Sequence, residues 1–249
     1  MMDLARRFGA SPRQEDPCDG VLVVDKPSGP TSHDVVDRIR RDFGFKKVGH
    51  GGTLDPQATG VLIILLGRGT KLADRFTHSD KTYEGTLRLG IDTDSHDGDG
   101  KIIREADCSG VTREALEAEM AKLTGDLLQT PPMVSAVKVA GVPLYRHARK
   151  GRTVEREPRL IHVYEFSLLS FESPRAQFRV RCTKGTYVRK LCADVGAALG
   201  CGAYLETLRR TQSGSISVAD ALTMDKILAM DREALTKTII PLRSFLERR

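Results

Sequence analysis

Long hydrophobic runs are absent from this 249-residue sequence. The longest, Val61–Leu66, is far short of the roughly 18 to 20 residues that span a bilayer, so no transmembrane helix is expected. The N-terminal text MMDLARRFGASPRQEDP has two early arginines but no apolar stretch behind them, unlike a secretory signal, and the expected compartment is the cytoplasm. Five cysteines (Cys18, Cys108, Cys182, Cys192, Cys201) are scattered without a C-x-x-C pair, which excludes a disulfide framework and a zinc ribbon and leaves reduced thiols. The histidines form neither H-x-x-x-H nor H-E-x-x-H. The acidic run DTDSHDGDG fails the calcium-loop template, because counting from Asp92 puts Asp97 where glycine is required and Ile103 where the bidentate glutamate belongs. That run is expected as a solvated hairpin turn, and no metal is expected. Gly67-Arg68-Gly69 lacks the third glycine of a dinucleotide fingerprint and no phosphate-binding G-x-x-x-x-G-K-[ST] string occurs, so no cofactor is expected. Asparagine is missing altogether. Ser135-Ala136-Val137-Lys138 has the S-x-x-K form of serine acyl-enzymes, but without asparagine the accompanying S-D-N cannot exist. In strand-like text, moreover, positions three apart face opposite ways.

What is present is globular: 40% hydrophobic and 29% charged residues exclude disorder as the main state, and the length allows one or two domains. The net charge of +6 and pI near 9.1 hide an asymmetry. Residues 1–110 hold 16 Lys and Arg against 18 Asp and Glu, leaving 23 against 15 for the remainder. Within that remainder, Lys138 to Arg159 carries seven basic residues, and Arg179 to Lys190 carries five with no acid. Such segments suit a polyanion, because clustered Lys and Arg release counterions from phosphates, although solvated faces are the commoner use of charge runs.

Residues 1–19, polar with Pro12 and Pro17, read as a mobile tail. A strand at Val21–Val24 precedes a helix from Thr31 to Phe43, where Thr31 can cap, Asp34 lies in the first turn and Val35, Ile39 and Phe43 recur every four residues. GHGGTLDPQATG (Gly49–Gly60) must be a loop, and the buried strand Val61–Leu66 follows. Thr82–Ile91 alternates as a strand with Lys101–Arg104 as hairpin partner. Thr112–Leu123 is helical, Met133–Val139, Leu160–Leu169 and Gln177–Cys182 are strands, Tyr145–Lys150 a short helix and Thr186–Leu199 an amphipathic one. Strands and helices intermix without regular alternation, which implies an α+β fold with a mixed, largely antiparallel sheet.

Asp55 stands out. A carboxylate between Leu54 and Pro56 is partly shielded by apolar neighbours and needs a cation nearby to stay charged. KGTYVRKL, residues 184–191, offers cations together with Tyr187, an aromatic able to stack on a base. Residue types alone therefore give a nucleic-acid site with one carboxylate, or equally a plain turn aspartate.

The string KVGHGGTLDPQATGVL closely resembles the signature loop of the TruB family of tRNA pseudouridine synthases, GHxGTLDPxAxGVL. Four further blocks resemble the family in family order: GVLVVDKPSGPTSHDVV, KTYEGTLRLGIDTDSHDGDG, LTGDLLQTPPMVSAVKVAGVPLYRHARKG and KGTYVRKLCADVGAALGCGAYLETLRRTQSG. Together they cover roughly residues 20–214. The resemblance implies isomerisation of uridine 55 in the tRNA T loop to pseudouridine, with Asp55 as nucleophile or base, Arg189 as its salt-bridge partner and Tyr83 against the target base. It further implies Tyr187 and Leu208 lining the pocket, His50 helping to extrude the nucleotide, and Lys26, Arg146, Arg149 and Lys150 in substrate binding. The partner implied is the T arm of tRNA, and a monomer is expected. Residues 20–214 would be the catalytic domain, about 125–160 an RNA-binding insertion, and 215–249 a helical extension docked on it rather than the complete PUA-type domain of many members. A guide-RNA-dependent relative, which shares the catalytic loop, is the alternative.

Overall fold

The computed structural model describes residues 18–135, 137–139, 141–148 and 150–246. Most of the expected tail and Arg149 therefore lie outside the described residues. Asp19, assigned by sequence to that tail, is buried: its carboxylate accepts the Arg68 backbone N–H at 2.7 Å and its carbonyl accepts that of Leu242 at 3.2 Å.

Strand β1 (Gly20–Lys26) leads into helix α1 (Ser32–Asp42). The helix starts where expected, because Thr31 and Asp34 form a reciprocal capping box that satisfies two orphan N–H groups. Short β2 (Val48–His50) precedes the glycine loop, and β3 (Thr59–Leu66) follows it. After α2 (Ala73–His78) comes β4 (Lys81–Leu89). The sequence extends β4 to Ile91 and pairs it with Lys101–Arg104. Instead Gly90, at φ 87°, turns the chain out of the large sheet, and β5 (Ile91–Thr93) and β6 (Ile102–Glu105) form a separate two-stranded sheet. Helix α3 (Arg113–Lys122) lies within the expected helix, with Thr112 as its N-cap, and β7 (Gly125–Gln129) follows.

The insertion differs most from its reading. The expected strand Met133–Val139 shrinks to β8 (Lys138–Val139), paired with β9 (Val142–Pro143). Pro131 and Pro132 stop β7 before that text, since proline has no N–H for a ladder. Helix α4 (Leu144–Ala148) sits between β9 and β10 (Arg159–Glu172), which is followed by β11 (Arg175–Cys182), α5 (Val188–Ala198) and β12 (Ala203–Ser213). A two-residue strand β13 (Ile216–Ser217) pairs back onto β12.

VADALTMDKILAM, read as one helix, is broken into a 3-10 turn, β14 (Leu222–Thr223) and α6 (Met224–Leu228), because Leu222 and Thr223 pair in parallel with Val24 and Asp25 of β1. Beyond them, α7 (Arg232–Thr238), β15 (Ile240–Pro241) and α8 (Arg243–Leu246) complete the described chain. This segment packs on the rest through Ile227, Leu235, Ile239, Leu242 and Phe245, and Arg232 donates to the Phe43 carbonyl at the end of α1 at 3.0 Å.

The main sheet has 11 strands, in the order β14-β1-β3-β12-β4-β11-β10-β7 with β2, β13 and β15 off that path. Only the β1–β14 and β3–β12 pairings are parallel, which makes the fold the expected α+β with a largely antiparallel sheet. Strand β3 is apolar throughout because both faces are covered: Leu62, Ile64 and Leu66 enter one core and Val61, Ile63 and Leu65 another. In contrast β11 alternates, with Phe178 and Val180 buried against α5 residues and Arg179 and Arg181 in solvent. Among the described residues, no helix is long and apolar enough to cross a membrane.

Candidate active site

The loop between β2 and β3 is pinned from several directions. Its carbonyls from Gly52 to Pro56 each accept a hydrogen bond. Arg210 donates to Gly52 at 3.1 Å and to Thr53 at 3.2 Å, Ser32 Oγ to Leu54 at 3.0 Å, and the Ala58 N–H to Asp55 at 3.1 Å. Pro56 accepts from the Gly29 N–H at 3.0 Å and from Lys26 Nζ at 2.8 Å. Ser32 Oγ also accepts the Leu54 N–H at 2.8 Å, so one hydroxyl holds both polar groups of that residue. Glycine is required where the loop meets its supports: a Cβ on Gly51 would lie 2.5 Å from Phe76 Cβ, and one on Gly60, at φ 97°, would lie 2.2 Å from the Arg210 carbonyl oxygen.

Leu54 and Ala58 are buried on either side, which leaves Asp55 projecting. Its carboxylate is 56% exposed and sits 3.5 Å from the guanidinium of Arg189, which is 4% exposed. Arg189 occupies the first turn of α5 and also binds Asp97 at 3.0 Å and donates to the Val134 carbonyl. The sequence reading joins Asp55 to Arg189 but leaves Asp97 in a solvated turn. The turn is a hairpin, but His96 adopts φ 64° and Asp97 faces Arg189. An Asp in a failed metal loop carries no local signal for a partner 92 positions away.

Asp55, Arg189, Val134 and Leu208 line one open cleft of about 1140 Å³. Tyr83 lies half-buried behind it, opposite Arg210 in the β4–β12 register; burial raises its phenol pKa, and the nearby Arg210 charge opposes the rise. Tyr187 precedes α5 and is bracketed by Gln129, whose amide oxygen accepts the Tyr187 N–H at 2.8 Å and whose amide nitrogen donates to its carbonyl at 3.2 Å. His50 ends β2. Burial first, and then the Arg210 charge, push its pKa down, which favours the neutral imidazole. Arg146 and Lys150 are exposed on the insertion and do not line the cleft.

Lys26 requires a correction. Sequence places it among the substrate-binding residues, but its side chain is fully buried and its ammonium donates at 2.8 Å to the carbonyls of Pro27, Pro30 and Pro56. An ammonium has three donors, and none remains for a ligand. Desolvation pulls its pKa down to about 8, opposed by Asp55. Arg210, which the sequence reading never singles out, is a further buried cation at the loop. Ser135, the serine of the acyl-enzyme alternative, is buried, where no acyl donor reaches its hydroxyl.

Comparison with known proteins follows the same lines. A model of the TruB family pseudouridylate synthase N-terminal domain matches residues 40–188, and one of the tRNA pseudouridylate synthase B C-terminal domain matches residues 189–247. The tRNA pseudouridine synthase B of Opitutus terrae is 52% identical over 230 residues, 92% of this chain and 95% of that protein. Its counterpart in Francisella philomiragia is 46% identical over 226 residues, 90% and 75% of the two chains. Among solved structures, a chain of a Cbf5–Nop10–Gar1 complex superposes with a TM-score of 0.71 at 31% identity, covering 90% of this chain and 60% of that one. An H/ACA ribonucleoprotein bound to a substrate RNA gives 0.66 at 26%, covering 97% and 61%. The chain thus spans about 60% of the length of those structural neighbours. With the N-terminal model matching more than half of its residues and a curated relative identical at half of the aligned positions, the chain belongs to the TruB family of pseudouridylate synthases.

Proposed function

We propose that this chain converts uridine 55 in the T loop of tRNA to pseudouridine, with Asp55 as nucleophile or base. The observation that carries the reading is a single projecting carboxylate on a pinned loop, 3.5 Å from a buried guanidinium, in a cleft large enough for a nucleotide. In this isomerisation the N1–C1′ bond breaks, the uracil turns while bound, and C5 bonds to C1′. A proton leaves C5 and one is gained at N1, so no atom enters or leaves overall. A glycosidase needs a second carboxylate to activate water, whereas here the departing base itself returns, and one carboxylate suffices if water is excluded.

Arg189 orients the Asp55 carboxylate, while Asp97 and the Val134 carbonyl hold Arg189 from the other side. Tyr83 packs against the target base and assists proton removal at C5, Tyr187 and Leu208 close the pocket, and His50 helps extrude the nucleotide. Extrusion costs a few kcal/mol, which stacking and pocket contacts offset. Arg146, Arg149 and Lys150 contact phosphates of the T arm, and the protein acts as a monomer. Lys26 supports the loop and does not touch RNA.

The guide-dependent reading draws on the Cbf5 likeness at 31% identity, but the tRNA pseudouridine synthase B of Opitutus terrae is more similar at 52%, which supports action on tRNA without guide RNA. Incubating the purified protein with an unmodified tRNA transcript and mapping pseudouridine tests this. Conversion at position 55 with protein alone is expected. No conversion, or conversion only after guide RNA and partner proteins are added, would overturn the reading.

A further inference from the structure

Arg210 lies on β12 with its side chain 1% exposed. Its Nε donates to the Val61 carbonyl at 2.8 Å, Nη1 to Thr53 at 3.2 Å and Nη2 to Gly52 at 3.1 Å. Among the described residues no carboxylate pairs with it within 4.0 Å, although Asp55, Asp97 and Asp25 are all engaged by other arginines nearby. An uncompensated guanidinium in a protein interior costs several kcal/mol of desolvation, and a well-packed apolar side chain there is often as stable or more so. Loop support alone explains the three hydrogen bonds but not the retention of a charge, since Ser32 and the Gly29 N–H pin the same loop without one.

The group facing that charge is Tyr83. Tyr83 and Arg210 are registered partners on β4 and β12, and a guanidinium has five N–H donors, of which the carbonyls take three. Burial raises the Tyr83 phenol pKa, and the Arg210 charge opposes that rise. One side chain therefore binds the backbone leading to Asp55 and lies across the strand pair from the residue expected beside the target base.

We propose that Arg210 is a positioning residue for the isomerisation, fixing the Gly52–Thr53 backbone in front of Asp55 and presenting its guanidinium to the Tyr83 side chain across the β4–β12 pair. The proposal rests on the assignment of Asp55 and Tyr83 to the reaction and adds no chemical step to it. Lysine at this position keeps the charge but lacks the planar fork, and methionine keeps bulk without either.

Arg210→Lys and Arg210→Met are compared with wild type in single-turnover conversion of tRNA, in tRNA affinity, and in titration of the Tyr83 phenol followed by tyrosine-labelled NMR, with Tyr83→Phe assigning the signal. Expected are a rate loss of about 10-fold for Lys and at least 100-fold for Met, affinity within threefold of wild type in both, and an upward move of the Tyr83 titration that is larger for Met. A folded variant with a wild-type rate overturns the proposal, as does a slow variant whose Tyr83 titration has not moved, since a purely structural role would leave that titration in place. If Arg210→Met does not fold, Arg210→Lys placed in the Tyr83→Phe background decides: a rate loss as large as in the Tyr83 protein contradicts action through Tyr83. Failure of the wild type to convert tRNA would instead strike the proposed function, so the two failures are separable.

Discussion

The loop that carries Asp55 and the insertion at residues 125–160 are built on opposite principles. In the loop, successive carbonyls from Gly52 to Pro56 are each held by a donor, and the flanking Leu54 and Ala58 are buried. In the insertion, regular structure beyond β7 shrinks to two-residue strands and the five-residue helix α4, and Leu128, Val134, Val142 and Leu160 are all exposed. Its anchors are few: Leu144 is fully buried, Gln129 brackets Tyr187, and the Val134 carbonyl receives Arg189. Bond rearrangement at one carbon needs a carboxylate held within a fraction of an ångström, whereas contact with a phosphate backbone tolerates adjustable charges. Under the proposed function, the contrast predicts that the loop governs rate and the insertion affinity.

The largest expected effect is that of Asp55→Asn. The amide preserves size but cannot act as nucleophile or base, so single-turnover conversion should fall by more than about 1000-fold while tRNA affinity stays within threefold. Residual activity within about tenfold of wild type, ~1.4 kcal/mol in barrier height, would remove Asp55 from the chemistry.

Arg189→Ala comes next, at roughly 100-fold or more in rate, because Asp55 loses its cation and Asp97 is left without its partner. Normal rates at neutral pH would contradict the salt-bridge role.

Ser32→Ala isolates the scaffold. Both polar groups of Leu54 lose their buried partner, which costs about 1–3 kcal/mol of stability and should slow conversion roughly tenfold with little change in affinity. Thermal unfolding and single-turnover assays measure the two separately. An unchanged rate in the destabilised protein would mean that pinning at Leu54 does not reach Asp55.

On the insertion side, neutralising Arg146, Arg149 and Lys150 should weaken tRNA binding and flatten its log–log salt dependence by roughly 0.7–0.9 per lost phosphate contact, with the rate at saturating enzyme unchanged. A constant slope would place these side chains in solvent.

The smallest effect concerns pH. Burial is the first cause that lowers the pKa values of His50 and His96 below 6.5, so the unfolded chain takes up protons before the folded one as pH falls through 6.5. Stability therefore declines below that pH, by about 1–3 °C in Tm between pH 7.5 and 5.5, and His50→Gln should reduce the decline. An equal decline in the variant would assign the protons elsewhere.

The halves of this comparison were unequally legible in the sequence. The loop itself, the α1 capping box, the alternation of β11 and the Asp55–Arg189 pairing follow from local pattern and from motif resemblance, because glycine, capping and period-two signals act over a few residues. The supports of the loop were not legible. Ser32 meets Leu54 across 22 positions and Arg210 meets Gly52 across 158, and neither periodicity nor composition encodes a side chain bound to a distant carbonyl. For the same reason Lys26, a lysine beside a proline-rich turn, reads as a ligand contact, although three carbonyls consume it. Asp97 hides in an acidic run whose neighbours do face solvent. In the insertion, apolar residues that look like strand text are left uncovered, so the pattern that normally reports a buried face reported none.

The most direct test measures single-turnover rate and tRNA dissociation constant side by side for Asp55→Asn and for the Arg146/Arg149/Lys150 triple variant, on one tRNA at one salt concentration. The account predicts that the first loses more than about 1000-fold in rate with affinity within threefold, and that the second loses affinity with its saturating rate intact. Rate and affinity falling together in both variants would contradict it.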